Sequence, residues 1–137
     1  MSGEPLIAEG RIVNAKMEAL VPMAFVADVS RSITFYEQLG FSAGNTFAAS
    51  GSEVPTWAWL ESGRASLMLA RASRPVVSEQ QTILFYLYCE DVATAREALL
   101  ARGVAAGEIA HPFYAPGGEF RVTDPDGYVL MITHTAS

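Results

Sequence analysis

Residues 119–135 read EFRVTDPDGYVLMITHT, and this stretch is a hairpin written in residues. Phe120 and Val122, then Val129, Met131 and Thr133, alternate with their neighbours at the strand period. Asp124-Pro125-Asp126-Gly127 lies between the two runs. Proline presets the φ needed at the second position of a tight turn, Asp side chains bond nearby backbone N–H groups, and glycine accepts the positive φ that often follows. Two strands of similar length folded about this turn would set Val122 opposite Val129 and Phe120 opposite Met131, all on one face.

Working back from the hairpin, the chain divides into two similar halves. Leu20 to Val26 is apolar at almost every position, as suits a strand buried on both faces. Asp28 or Ser30 can cap a helix whose apolar stripe is Val29, Ile33, Tyr36 and Gly40, with Leu39 beside it. Gly40 ends that helix in the left-handed conformation that glycine accepts most readily. Phe41 to Phe47 then reads as a strand and Ala48 to Pro55 as a loop. Thr56 to Leu60 and Ala65 to Leu69 read as two strands about a turn at Ser62-Gly63. Pairing Glu61 with Arg64 there would put Trp57 opposite Met68 and Trp59 opposite Ser66.

The second half repeats the first: Asp28-Val29 recurs as Asp91-Val92, and Gly40 as Gly103, each 63 positions on. Ile83 to Cys89 takes the place of the first strand, and Val92, Ala95, Ala98 and Leu99 stripe a second helix. Val104 to Ile109 can be a strand, and His111 to Gly118 is a loop before the hairpin. The expected organisation is an N-terminal arm at 1–18 and a single domain at 19–137. That domain comprises module one at 19–70, a linker at 71–81 and module two at 82–135.

Composition narrows the function classes. Half of the 137 residues are apolar and only 18% are charged, against about 25% in ordinary soluble domains, which suggests surface withdrawn into a subunit interface. No apolar run reaches the roughly 18 residues of a membrane span, and no signal pattern opens the chain, so a cytoplasmic protein without membrane contact is expected. A net charge of −6 argues against nucleic acid and favours neutral or cationic ligands. Cys89, the one cysteine, sits in an apolar strand and reads as a buried, inert thiol.

Several of these residues carry a resemblance. Ala27-Asp28-Val29 through Ser32-Ile33-Thr34-Phe35-Tyr36 to Leu39-Gly40-Phe41, the second Asp91-Val92 to Arg102-Gly103, and Asp124-Pro125-Asp126-Gly127-Tyr128 together resemble the vicinal oxygen chelate superfamily. That superfamily includes glyoxalase I, extradiol dioxygenases and bleomycin-resistance proteins. The resemblance spans roughly residues 20–135. It implies an α+β fold of two tandem βαβββ modules, forming a curved, open-barrel-like mixed sheet around a ligand cup, usually in a homodimer.

In the enzymes of that superfamily a divalent metal is held by His, Gln or Glu on the first and last strands of each module. Counting from the shared motifs places those positions at Val21, Leu84, Met68 and Met131. None can chelate a hard or borderline divalent ion, so no metal, no other cofactor and no catalytic residue is assigned. His111 and His134 fall outside this set. Met23, Met68 and Met131 could share one face and favour Cu(I), although methionine is also a common core filler. Glu90 and Glu119 are acids near the sheet, where a charged strand end is usually just solvated.

Strand alternation puts Met23, Phe25, Tyr86, Tyr88, Val129 and Thr133 on the face of the cup, with Trp57 and Trp59. The candidate ligand contacts are Phe47, Trp57, Trp59, Met68, Tyr86, Tyr88, Phe113, Tyr114, Phe120 and Met131. Aromatic faces attract flat apolar molecules and cations, so the leading expectation is a small-molecule-binding protein of the bleomycin-resistance type. It would sequester an aromatic or cationic ligand, such as an antibiotic. A metal-dependent lyase or dioxygenase with a displaced ligand set, and a dimeric module with a filled cup, are the other two readings. For each aromatic, ordinary core or dimer packing is the competing explanation.

Overall fold

The computed structural model describes residues 17–135, so all of the expected arm except Met17 and Glu18 lies outside the described residues. The chain runs β1 (Met23–Val26), α1 (Val29–Gln38), β2 (Ser42–Phe47), β3 (Trp57–Ser62) and β4 (Ala65–Arg71). It continues, after a 3-10 turn at Ser78–Gln80, with β5 (Leu84–Cys89), α2 (Val92–Ala101), β6 (Glu119–Thr123) and β7 (Val129–His134). The fold is α+β, with one sheet in the order β1-β4-β3-β2 and a second in the order β5-β7-β6. In each sheet the first strand lies parallel to the last, β1 to β4 and β5 to β7, and the other pairs are antiparallel. No described helix is long and apolar enough to cross a membrane.

The helices start and stop where local chemistry requires. Asp28 Oδ1 accepts the N–H of Arg31 at 3.1 Å, and Asp91 Oδ1 accepts that of Thr94 at 3.0 Å, each satisfying a first-turn donor that the helix itself leaves free. That bond from Thr94 holds the Asp91 carboxyl below its ordinary range. Past the last turns, Gly40 and Gly103 adopt φ of 94° and 83°. The internal repeat is therefore a structural one, since α2 is α1 displaced by 63 positions.

Three expectations of register or extent are corrected. In the last hairpin Val122 pairs with Leu130, and Phe120 with Ile132. The turn takes in one residue more than expected, because the Asp124 N–H donates to Tyr128 O while Asp124 Oδ1 accepts from the N–H groups of Asp126 and Tyr128. A one-residue slip moves a side chain to the other face. Phe120, expected on the face of the cup, thus sits in the core, 1% exposed. In the β3–β4 hairpin Ser62 pairs with Ala65, which sets Trp57 beside Ala70 and Trp59 beside Met68. That shift is even, so both tryptophans keep their face. Finally, Val104 to Ile109 forms no strand: only a bridge from Ala110 to Glu119 and a bond from the Gly107 N–H to Arg121 O tie this segment to β6. Two alanines and a glycine give it little of the branched side-chain surface that favours pleated pairing.

Both sheets turn one face to a common core. Ala24, Val26, Leu60 and Leu69 from the first meet Phe120, Val122, Leu130 and Ile132 from the second, together with Val29, Tyr36, Val92 and Leu99 from the helices. The Asp124–Tyr128 turn locks the halves together across this core. Tyr36 donates its hydroxyl to Asp124 Oδ2 at 2.7 Å, and Asp126 Oδ1 accepts the Ala27 N–H at 2.9 Å. The Tyr128 hydroxyl donates to Phe25 O at 3.0 Å. Replacing Tyr36 with Phe removes one donor and leaves a buried carboxylate oxygen unpaired, so Tyr36→Phe is expected to lose about 1–3 kcal/mol in urea unfolding.

Burial pushes the Asp124 carboxyl above its ordinary value of 3.8, against the hydrogen bonds that favour its charged form. The folded chain thus holds this proton more tightly than the unfolded chain. The stability contributed by Asp124 is complete below pH 3.8 and declines as pH rises through the folded value. The stability of the native chain minus that of Asp124→Asn, measured by urea unfolding from about pH 3.5 to 7, should therefore fall as pH increases.

Candidate functional site

The faces turned away from the core are built in cross-strand rows, largely open except where the loop before β6 buries Thr133 and Glu119. On the first sheet Phe25, Ala70, Trp57 and Phe47 stand side by side across all four strands, and Met23, Met68 and Trp59 form the next row. Phe25 is 51% exposed and Phe47 61%, whereas the alternate residues Ala24 and Val26 are buried. On the second sheet the rows are Leu84-Val129-Thr123, Tyr86-Met131-Arg121 and Tyr88-Thr133-Glu119. Tyr88 is 64% exposed, and its ring centroid lies 6.4 Å from that of Tyr86.

The sequence-derived candidates therefore separate by sheet. Phe47, Trp57, Trp59 and Met68 share the open face of the first, and Tyr86, Tyr88 and Met131 that of the second. Tyr114 reaches the second face through Glu119, while Phe113, packed edge-on against Tyr114, is almost fully exposed. A cleft of about 730 Å³ opens beside β5, lined by Leu39, Phe41, Tyr86, Tyr88, Leu99 and Arg102 among others. It includes two of the candidate rings and neither tryptophan.

Polar groups on these faces are few. The Trp59 indole N–H donates to Glu61 Oε2 at 2.7 Å. On the second face the Tyr114 hydroxyl donates to Glu119 Oε2 at 2.9 Å, and this bond is the main reason the Tyr114 phenol is held above its ordinary range. Glu119 is 5% exposed, and its other oxygen, Oε1, is buried with no hydrogen-bond partner. An unsatisfied buried acceptor costs about 1–3 kcal/mol, more when charged, so Oε1 has room for a hydrogen-bond donor that no described side chain supplies. The sequence flagged Glu119 only as a strand-end acid. Its partner Tyr114 approaches from the preceding loop, which leaves no periodic trace.

The donor set does not fit a divalent metal. Met68 and Met131 stand in the middle of their rows between Met23 and Trp59 and between Tyr86 and Arg121, and Leu84 pairs with Val129. Among the described residues no three His, Cys, Asp or Glu side chains converge. His111 Nδ1 bonds Pro116 O at 3.0 Å, and His134 pairs with Cys89 at the strand end. Burial pushes the Cys89 thiol up, away from the reactive thiolate.

The family profile described as Glyoxalase/Bleomycin resistance protein/Dioxygenase superfamily matches residues 19–132. Comparison with curated proteins gives no match. Among solved structures, a bleomycin-binding protein complexed with bleomycin is similar at 19% identity and a TM-score of 0.70, over 88% of this chain and 100% of that one. A bleomycin resistance determinant encoded on the transposon Tn5 is similar at 18% identity and a TM-score of 0.71, with the same coverage. TnmS3, an antibiotic binding protein from Streptomyces sp. CB03234, is similar at 21% identity and a TM-score of 0.71, over 90% of this chain and 100% of that one. With thioether and alkyl groups at the positions where the resemblance places the chelating residues, excess Zn²⁺, Ni²⁺ or Mn²⁺ should move the Tm by less than about 1 °C, as measured by calorimetry.

Proposed function

The chain belongs to the glyoxalase/bleomycin resistance protein/dioxygenase superfamily, and we propose that it binds and sequesters a flat aromatic or cationic small molecule, without metal chemistry. The observation that carries this reading is the Phe25-Ala70-Trp57-Phe47 row. Three aromatic rings line one exposed face with an alanine among them, where a folding core has no use for them. Exposed apolar surface on this scale marks an interaction site. Stacking on such rings contributes on the order of 1 kcal/mol per contact and tolerates many flat ligands.

The same faces support a homodimer. In one chain Met23, Phe25, Leu84, Tyr86 and Tyr88 are each more than two-fifths exposed. A second copy would cover them and close a cup over the ligand. The similar structures named above include proteins described as binding bleomycin or an antibiotic, and an antibiotic is the ligand class we favour.

Tryptophan fluorescence tests the proposal, because both indoles lie on the open face of the first sheet. Titration with bleomycin and with planar polycyclic aromatics should quench the emission saturably, with Kd in the micromolar range or below, roughly −8 kcal/mol or better. Trp59→Phe should remove part of the signal, and Trp57→Ala should weaken binding about tenfold. Absence of saturable binding by any of these compounds would sink the proposal. Turnover of a substrate dependent on a tightly held metal would replace it with a lyase or dioxygenase.

A further inference from the structure

Glu119 is a buried acid on the side of the second sheet turned away from the core, beneath Tyr114, with half of its carboxylate unused. Its row on the second sheet is Tyr88-Thr133-Glu119, so the three side chains leave the same face. The Thr133 hydroxyl is occupied, donating to Gly118 O at 3.2 Å. Tyr114 caps Oε2 alone, and Oε1 has no partner. Arg121 is the other charged group on this face of β6, two residues along, yet no ion pair joins it to Glu119. Among the described residues the acid therefore has no cationic partner, and one of its oxygens is unbonded.

Resting on the binding reading above, we propose that Glu119 is the polar anchor of the site, accepting hydrogen bonds from a protonated amine or amidine carried by the aromatic ligand. A carboxylate has acceptors only, so its guest must bring donors, and a cationic donor makes the strongest such bond. Tyr86 and Tyr88 stand on the same side of the sheet, across β7 from Glu119, to hold the flat part of the same molecule and to face its charge. Tyr114, more than half exposed and joined to Glu119 by a single bond, occupies the anchor until the ligand arrives. The hydroxyl can turn aside without disturbing a strand, because Tyr114 lies in the loop before β6.

A matched pair of probes separates charge from stacking. 9-Aminoacridine is a cation at pH 8 and acridine is neutral, while their ring systems are alike. By calorimetric titration the native protein should prefer the cation by at least about tenfold. Glu119→Gln should bring that preference close to unity while leaving acridine affinity in place, and Tyr114→Phe, which frees Oε2, should raise it severalfold. Thermal unfolding of each variant checks that it is folded, and the exposed position of Tyr114 keeps the second variant decisive if the first fails to fold. Acridine binding with a preference that neither variant alters would overturn the anchor alone. Binding of neither probe by the native protein would overturn the sequestration reading, and the anchor with it.

Discussion

Two buried aspartates in one turn hold this molecule together. Asp124 and Asp126 come from the last hairpin, yet their acceptors serve the first half of the chain. Asp124 takes the Tyr36 hydroxyl, and Asp126 takes the Ala27 N–H, with Ser32 and Arg31 within reach of the same carboxylate. Both carboxylates are at most 5% exposed. Buried charge is tolerable only when its lone pairs are met, and here backbone N–H groups, hydroxyls and a partly exposed guanidinium meet them. The positive φ of Gly127 and the close approach of Ser78 to it fix the turn against the segment that joins the halves.

From that constraint follows the placement of everything open. Because the turn draws the helix-bearing side of one half onto the other, a single core forms between them, and most of each sheet's second face is left uncovered. Alternation along the strands then does the sorting. Val26 goes in and Phe25 out; Leu130 goes in and Met131 out. The aromatic rows are thus a consequence of where the clasp sits, as much as of which residues the strands carry.

The sequence makes some of this plain and hides the rest for identifiable reasons. Both helices are legible because an Asp cap, an apolar stripe and a terminal glycine each leave a mark at fixed spacing, and the marks occur twice. The faces of β1, β5 and β7 are legible because alternation is continuous through them. Register across the hairpin is not, because Asp124 bonds Tyr128 through both its side chain and its N–H, drawing one more residue into the turn than residue type alone suggests. That single step carries Phe120 from the open face to the core. The expected strand at 104–109 is ambiguous in the same way, since Val104 and Ile109 offer apolar ends while the residues between them offer nothing to pack. The Tyr114–Glu119 bond lies beyond any periodicity, because a loop brings it about.

The incomplete edge of the second sheet has an evolutionary reading. Where the first half spends a full strand, β2, on closing its sheet, the second leaves Val104 to Gly118 attached to β6 by a few backbone bonds. Neither the ladder between β6 and β7 nor the aspartate clasp depends on the identity of these fifteen or so residues. Between Val104, which is buried in the core, and Ala115, also buried, selection can therefore rewrite that segment at little expense to the scaffold. Lineages exposed to new toxins would be expected to diverge there first, with the duplicated frame beneath them unchanged.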